Sequence, residues 1–150
     1  MHEPCQDRKV AALSEFALCN DLFYLMTSRS VSRCFLLYNV GGGYMNYMNE
    51  AYKEAMKALK IDEVPVGAVI VKNERIIARG FNKKESNNNV LGHAELVALS
   101  KACKKLNSWR LNDCEIYVTL EPCSMCLSAL IHARIAKIYY GCKDPKSGKL

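Results

Sequence analysis

A mixed α/β fold, with a β-sheet flanked by helices, is what this sequence predicts. Three observations carry that reading. From Met45 onward, runs at helical period alternate with short β-rich runs in the order α-β-β-α-β-α-β. The chain has 150 residues, enough for one domain with a real core. Its composition, 50% hydrophobic and 24% charged, is ordinary for a globular protein. No apolar run approaches the roughly 18 residues that a membrane span needs.

Residues 1–44 lack a clear period, and Gly41 to Gly43 read as a break, so this segment stands as an unassigned extension before a unit at 45–150. In MNYMNEAYKEAMKALK, Met48, Ala51, Ala55, Met56 and Leu59 recur at helical spacing and predict a helix over about 46–60. GAVIVKNERIIARGFN is two β-rich runs around Lys-Asn-Glu, a hairpin signal. A polar loop rich in Lys and Asn over 83–89 leads to HAELVALSKACKKL, helical by period. CEIYVTL then reads as a strand, CSMCLSALIHARI as a helix and AKIYYGC as a strand.

Charge is unevenly placed. Residues 1–44 hold four Lys/Arg and four Asp/Glu, so the whole net charge of +6 belongs to 45–150. A solvated basic surface accounts for this, and so does a polyanionic substrate. Eight cysteines would suggest a disulfide scaffold in a small secreted chain. The N-terminus, with Glu3, Asp7, Glu15 and Asp21, resembles neither a signal peptide nor a transit peptide. A reducing, cytoplasmic setting is expected, with the cysteines as thiols or ligands. Cys103, Cys114 and Cys142 read as small buried hydrophobes. Cys5, Cys19 and Cys34 fall in the segment without a pattern.

LEPCSMC, Leu120 to Cys126, sets two thiols three residues apart behind a proline. Such a pair can clasp a metal, cycle as a dithiol or simply pack. Pro122 suits the first helical position, where its missing N–H costs nothing. Cys123 and Cys126 would then share one face of the first turn, where exposed N–H groups and the helix dipole favour thiolate. A catalytic zinc takes three protein ligands and a water, so a third ligand must come from elsewhere. His2 lies in the unpatterned segment; His132 is six residues past Cys126, roughly 9 Å along the helix. His93 opens the preceding helix, and two turns that follow parallel strands meet at one edge of the sheet. His93 and the cysteine pair can converge there. Glu95, two residues on, could be surface charge; beside a zinc with an open position it becomes a proton shuttle.

His93-Ala94-Glu95 followed by Pro122-Cys123-Ser124-Met125-Cys126 resembles the zinc-dependent nucleoside and nucleobase deaminases. EVPVGAVIV (63–71), GFN (80–82), TLEPCSMC (119–126), IHARI (131–135) and YGCKDPKSG (140–148) are similar, within that group, to the bacterial tRNA-specific adenosine deaminase family. The resemblance covers about 45–150. It implies a three-layer cytidine-deaminase-like fold and one zinc (Zn2+) per chain on His93, Cys123 and Cys126, with a water as fourth ligand. Glu95 would move the protons. Asn82 would hydrogen-bond the base, the Ala94 backbone would read its edge and Val66 would line the pocket. Asp144 would touch RNA near the target, and Lys146 would help with phosphate. The implied substrate is the wobble adenosine of a tRNA anticodon loop, with a homodimer as the working form.

Members of that family begin near Met45 and continue beyond the equivalent of Leu150 into a final strand and a C-terminal helical region. An exposed sheet edge beside the last strand is therefore expected here. The rival readings are a free-base deaminase acting on guanine, and an inactive zinc-stabilised fragment that binds RNA or a partner.

Overall fold

The computed structural model describes residues 23–27, 30–37 and 43–144. Its elements in chain order are strands β1 (Phe23–Thr27) and β2 (Ser30–Leu37), helix α1 (Gly43–Lys60), strands β3 (Gly67–Lys72) and β4 (Arg75–Phe81), helix α2 (Ala94–Leu106), strand β5 (Cys114–Leu120), helix α3 (Ser124–His132) and strand β6 (Lys137–Cys142). The α-β-β-α-β-α-β order expected from Met45 onward is present. Two strands precede it, in the segment where no period was legible.

The strands form one mixed sheet in the order β2-β1-β6-β5-β3-β4. β5 and β6 are parallel, while β3 is antiparallel to both β4 and β5. It follows that β4, β5 and β6 all run the same way. The edge expected to stand open beside β6 is instead paired by β1, antiparallel, with Tyr24 opposite Tyr140 and Thr27 opposite Lys137. A strand edge carries unpaired N–H and C=O groups, and any chain segment able to go extended can satisfy them.

Alternation along the strands builds a core on each face. Ala68, Ile70, Ile116, Val118 and Tyr140 point to one side, where α2 and α3 supply Ala94, Ala98, Ala102 and Leu130. Val69, Val71, Tyr117 and Tyr139 point to the other, where α1 supplies Met48 and Ala51. The three-layer architecture follows from this two-sided burial. Both helical contacts depend on small residues. A Cβ on Gly67 would overlap the backbone of Ala51 and Ala55 in α1, and one on Gly80 would overlap Ala94 and Ala98 in α2.

Three sequence expectations shift in detail. α1 begins at Gly43, so the last glycine of the supposed break is helical. Its buried stripe is Met48, Ala51, Ala55 and Ala58, with Met56 and Leu59 only half-buried, because the flat sheet accepts small side chains at closest approach. Pro122 stands before the N-cap of α3 rather than inside its first turn. The chain leaving β5 stays extended there, its Glu121 N–H bonded to the Cys142 carbonyl at 2.8 Å, so the helix starts only at Ser124. The β3–β4 hairpin turns at Asn73-Glu74, both with positive φ (48° and 59°), as a two-residue turn requires.

Candidate metal centre and active site

Because β4, β5 and β6 run the same way, the segments that follow them reach one edge of the sheet. His93 is the N-cap of α2, and Cys123 is the N-cap of α3. An N-cap side chain ordinarily accepts a bond from its own helix's first N–H groups. Neither of these does so. Each has the extended backbone of a cap (ψ 144° and 168°) yet leaves its side chain free to reach across to the other helix. Cys126, in the first turn of α3, completes the group and is fully buried.

The ligand atoms of His93, Cys123 and Cys126 lie within 4.8 Å of one another. The His93 Nδ1 is 3.7 Å from the Cys123 Sγ and 3.4 Å from the Cys126 Sγ. Tetrahedral zinc, with bonds of about 2.3 Å to sulfur and about 2.0 Å to nitrogen, separates S from N by about 3.5 Å. The spacing fits such an ion. Burial and the neighbouring acidic groups push the Cys126 thiol far up, and burial together with the Lys84 cation lowers His93. A divalent cation would supply the positive charge that favours thiolate at the buried Cys126 and the half-buried Cys123. His132 is exposed and outside this group, and Cys103, Cys114, Cys123, Cys126 and Cys142 are free thiols.

Glu95 sits in the first turn of α2, only 4% exposed, with its carboxyl in hydrogen-bonding reach of the Cys126 thiol. Burial pushes that carboxyl up to about 7. No Lys or Arg pairs with it among the described residues. A purely structural metal site has no use for a buried, cation-free carboxyl at its side.

The other predicted site residues that the structure describes lie on the same edge. Asn82 follows β4; its Nδ2 donates to the Glu63 Oε2 at 3.3 Å and to the Val64 carbonyl at 3.2 Å. Its Oδ1 accepts the Lys84 N–H at 3.4 Å. Val66 is buried and its carbonyl accepts the Asn82 backbone N–H at 2.9 Å. Ala94 is fully buried against Gly80. Asp144 follows β6, its N–H bonded to the Glu121 Oε2 at 3.0 Å, directly beside the Pro122-Cys123 turn. Lys146 lies outside the described residues, as does His2.

Sequence reasoning missed the carboxylates that hold this edge in place. Glu63 is 1% exposed; its Oε1 accepts the Ser86 N–H at 2.7 Å while its Oε2 holds Asn82. It anchors the polar loop over 83–92 to Asn82, just past the end of β4. Glu121, also buried, does the same for the segment after β6. Their only sequence signal was an acidic residue beside Val64-Pro65 and Pro122, and that does not tell anchor from surface.

The MafB19-like deaminase family matches residues 44–150. This chain belongs to that family. Among curated proteins, it is 49% identical over 102 residues to the tRNA-specific adenosine deaminase of Bacillus subtilis, which covers 68% of this chain and 63% of the relative. It is 48% identical over 103 residues to that of Rickettsia bellii, covering 67% of this chain and 71% of the relative. The chain thus spans about two thirds of the length of these relatives. Among solved structures, one from studies of A-to-I editing by tRNA:A34 deaminases superposes with a TM-score of 0.68 at 46% identity, covering 69% of this chain and 75% of that one. Guanine deaminase from Bacillus subtilis superposes at 0.64 with 38% identity, covering 66% and 64%. The fold of this chain is therefore the α/β fold of its structural relatives, with a His-Cys-Cys group able to hold a metal at the edge where its parallel strands end.

Proposed function

We propose that this chain hydrolyses the exocyclic C6–N bond of adenosine at the wobble position of a tRNA anticodon loop, leaving inosine and releasing ammonia. The deaminase unit is residues 45–150, to whose sheet β1 and β2 add. The observation that carries the reading is Glu95, a buried carboxyl beside Cys126 with no cation paired to it among the described residues, next to three ligand atoms at zinc spacing. Similarity to tRNA-specific adenosine deaminases at 48–49% identity supports the choice of adenosine in tRNA.

His93, Cys123 and Cys126 would hold one zinc, with a water in the fourth position. When bound, zinc lowers the pKa of water to about 7 and so makes hydroxide available at neutral pH. Glu95 accepts the first proton that the attacking water gives up and delivers it to N1 of the ring; it then takes the second proton, from the hydroxyl now on C6, and hands it to the departing amine. Water contributes its oxygen to C6, and the amine leaves as ammonia, so atoms balance. Both Asn82 amide hydrogens are committed to Glu63 and Val64, which turns the amide so that its Oδ1 keeps a lone pair for a donor on the base. The Ala94 backbone reads the base edge and Val66 forms the pocket wall. Asp144 and Lys146 contact RNA beside the target nucleotide. The net charge of +6 favours a polyanionic substrate. The same reading takes the chain as a cytoplasmic homodimer. No helix among the described residues is long and apolar enough to cross a membrane.

The test is to incubate the zinc-loaded chain with an anticodon stem-loop bearing wobble adenosine and to look for inosine by mass. Inosine that disappears with Glu95→Gln supports the reading; zinc-replete protein that makes none overturns it. The likeness to guanine deaminase favours free guanine as the second substrate to try, and turnover there would be indifferent to salt. Failure on both would favour an inactive zinc-stabilised fragment.

A further inference from the structure

At the end of the sheet opposite the candidate site, the turns before β5 and β6 are laced together. The Leu111 N–H donates to the Ala133 carbonyl at 2.8 Å, with Leu111 wholly buried beneath. The Ser108 hydroxyl, bonded to the Arg110 N–H and facing its carbonyl at 3.1 Å, shapes the first turn. Above this base stands Trp109, 58% exposed, among the few large apolar side chains the described residues leave to solvent. The Arg110 guanidinium lies 4.6 Å from its ring centroid and that of Arg134 lies 6.0 Å from it. Both arginines are exposed, and neither forms an ion pair among the described residues. Lys104 and Lys105, also exposed, end α2 at the same edge; the acidic residue in these turns is Asp113.

Arg134 has a φ of 62°. The left-handed region suits glycine or asparagine and is unfavourable for a residue with a long side chain. Most of the non-glycine residues with positive φ here are Asn or Asp, which makes Arg134 an exception. An arginine at such a place, over an exposed indole and without a carboxylate partner among the described residues, points to a role outside folding.

We propose that Trp109, Arg110 and Arg134 form a stacking platform for an unpaired base of RNA, a second nucleic-acid contact remote from the deaminase pocket. An exposed indole offers a π-face to any base, and unpaired guanidinium groups offer phosphate contacts. The full length of β5, seven residues or about 23 Å, separates the platform from the Cys123 turn. Only an extended substrate could reach both, and the inference rests on the tRNA reading to that extent. The platform adds affinity without touching the reacting base.

Binding of a fluorescent tRNA transcript to the full zinc-loaded chain, followed by anisotropy over a range of salt, tests this. Trp109→Ala is expected to weaken binding about tenfold, and Trp109→Phe to retain most of it. Arg110→Ala combined with Arg134→Ala is expected to reduce the salt slope by about 1.4. Each variant should keep its zinc and its kcat on saturating stem-loop, with the change confined to KM and Kd. Undiminished RNA affinity in Trp109→Ala and in the double variant would overturn the proposal. So would substitutions that change the oligomeric state by sedimentation while leaving RNA binding intact, since the patch would then join copies of the chain. If the chain makes no inosine at all, the deaminase reading fails, and the binding comparison still decides the platform.

Discussion

The two ends of this sheet treat charge in opposite ways. Where β4, β5 and β6 end, Glu63, Glu95 and Glu121 are buried to within a few per cent. Where β5 and β6 begin, Arg110, Arg134, Lys104 and Lys105 stand in solvent. At the first end a carboxylate is worth its desolvation only because it holds something: Glu63 holds Asn82 and Ser86, Glu121 holds Asp144, and Glu95 bonds to Cys126 of the His-Cys-Cys group. At the second end a cation is cheap to keep and gains energy only when a polyanion arrives. The lesson is that buried charge here holds the candidate site in place, while exposed charge is left for the encounter proposed above.

That contrast can be broken most severely at the ligands. Cys123→Ala should abolish both stoichiometric zinc, read by elemental analysis, and inosine formation, and should lower the melting temperature, since metal binding contributes folding energy. A variant that kept one zinc per chain would show the ligand set to be wrong. Next comes Glu95→Gln, nearly isosteric, for which a loss of about 10³-fold in kcat with zinc retained is expected. Normal turnover would remove Glu95 from the chemistry. Glu63→Ala leaves the Ser86 N–H and the Asn82 amide without their acceptor and should cost about 2 kcal/mol in urea unfolding. Its effect should extend to KM, because Asn82 is no longer oriented; an unchanged KM would leave Glu63 as an ordinary core anchor.

Smaller effects separate packing from charge. Gly80→Ala sets a methyl against Ala94 and Ala98 and should cost about 1–3 kcal/mol by forcing α2 off β4. No loss of stability there would mean that α2 moves freely. At the opposite end Arg134→Gly should raise stability by up to about 1 kcal/mol, through relief of its left-handed backbone. The same change is expected to weaken RNA binding. A variant that lost stability would show that the Arg134 contact with Trp109 serves the fold.

Much of this was legible in the chain before folding. The strands from β3 to β6 and the helices announce themselves because their burial pattern has a short period, two or near 3.6, written in neighbouring residues. His93, Glu95, Cys123 and Cys126 were legible because the chemistry of a metal and a proton carrier admits few residue types, and each half of the group lies within a few residues of sequence. β1 and β2 were not. FYLMT and VSRCFLL are apolar enough for strands, but what makes β1 a strand is the free edge of β6, with Tyr24 opposite Tyr140. No local pattern can report a partner so distant.

The same division runs through the site. Residue identity dictated which atoms could bind a metal, which carboxyl could carry a proton, and where helices would begin near them. Folding alone decided that β4, β5 and β6 run together, so that the two N-caps face each other across one edge. It also decided that Glu63 and Glu121 are anchors, and that Arg134 leans toward Trp109 from a different turn. Local chemistry is encoded in single residues and short spacings; burial and cross-strand partnership are properties of the whole sheet, and exist only once its strands have met.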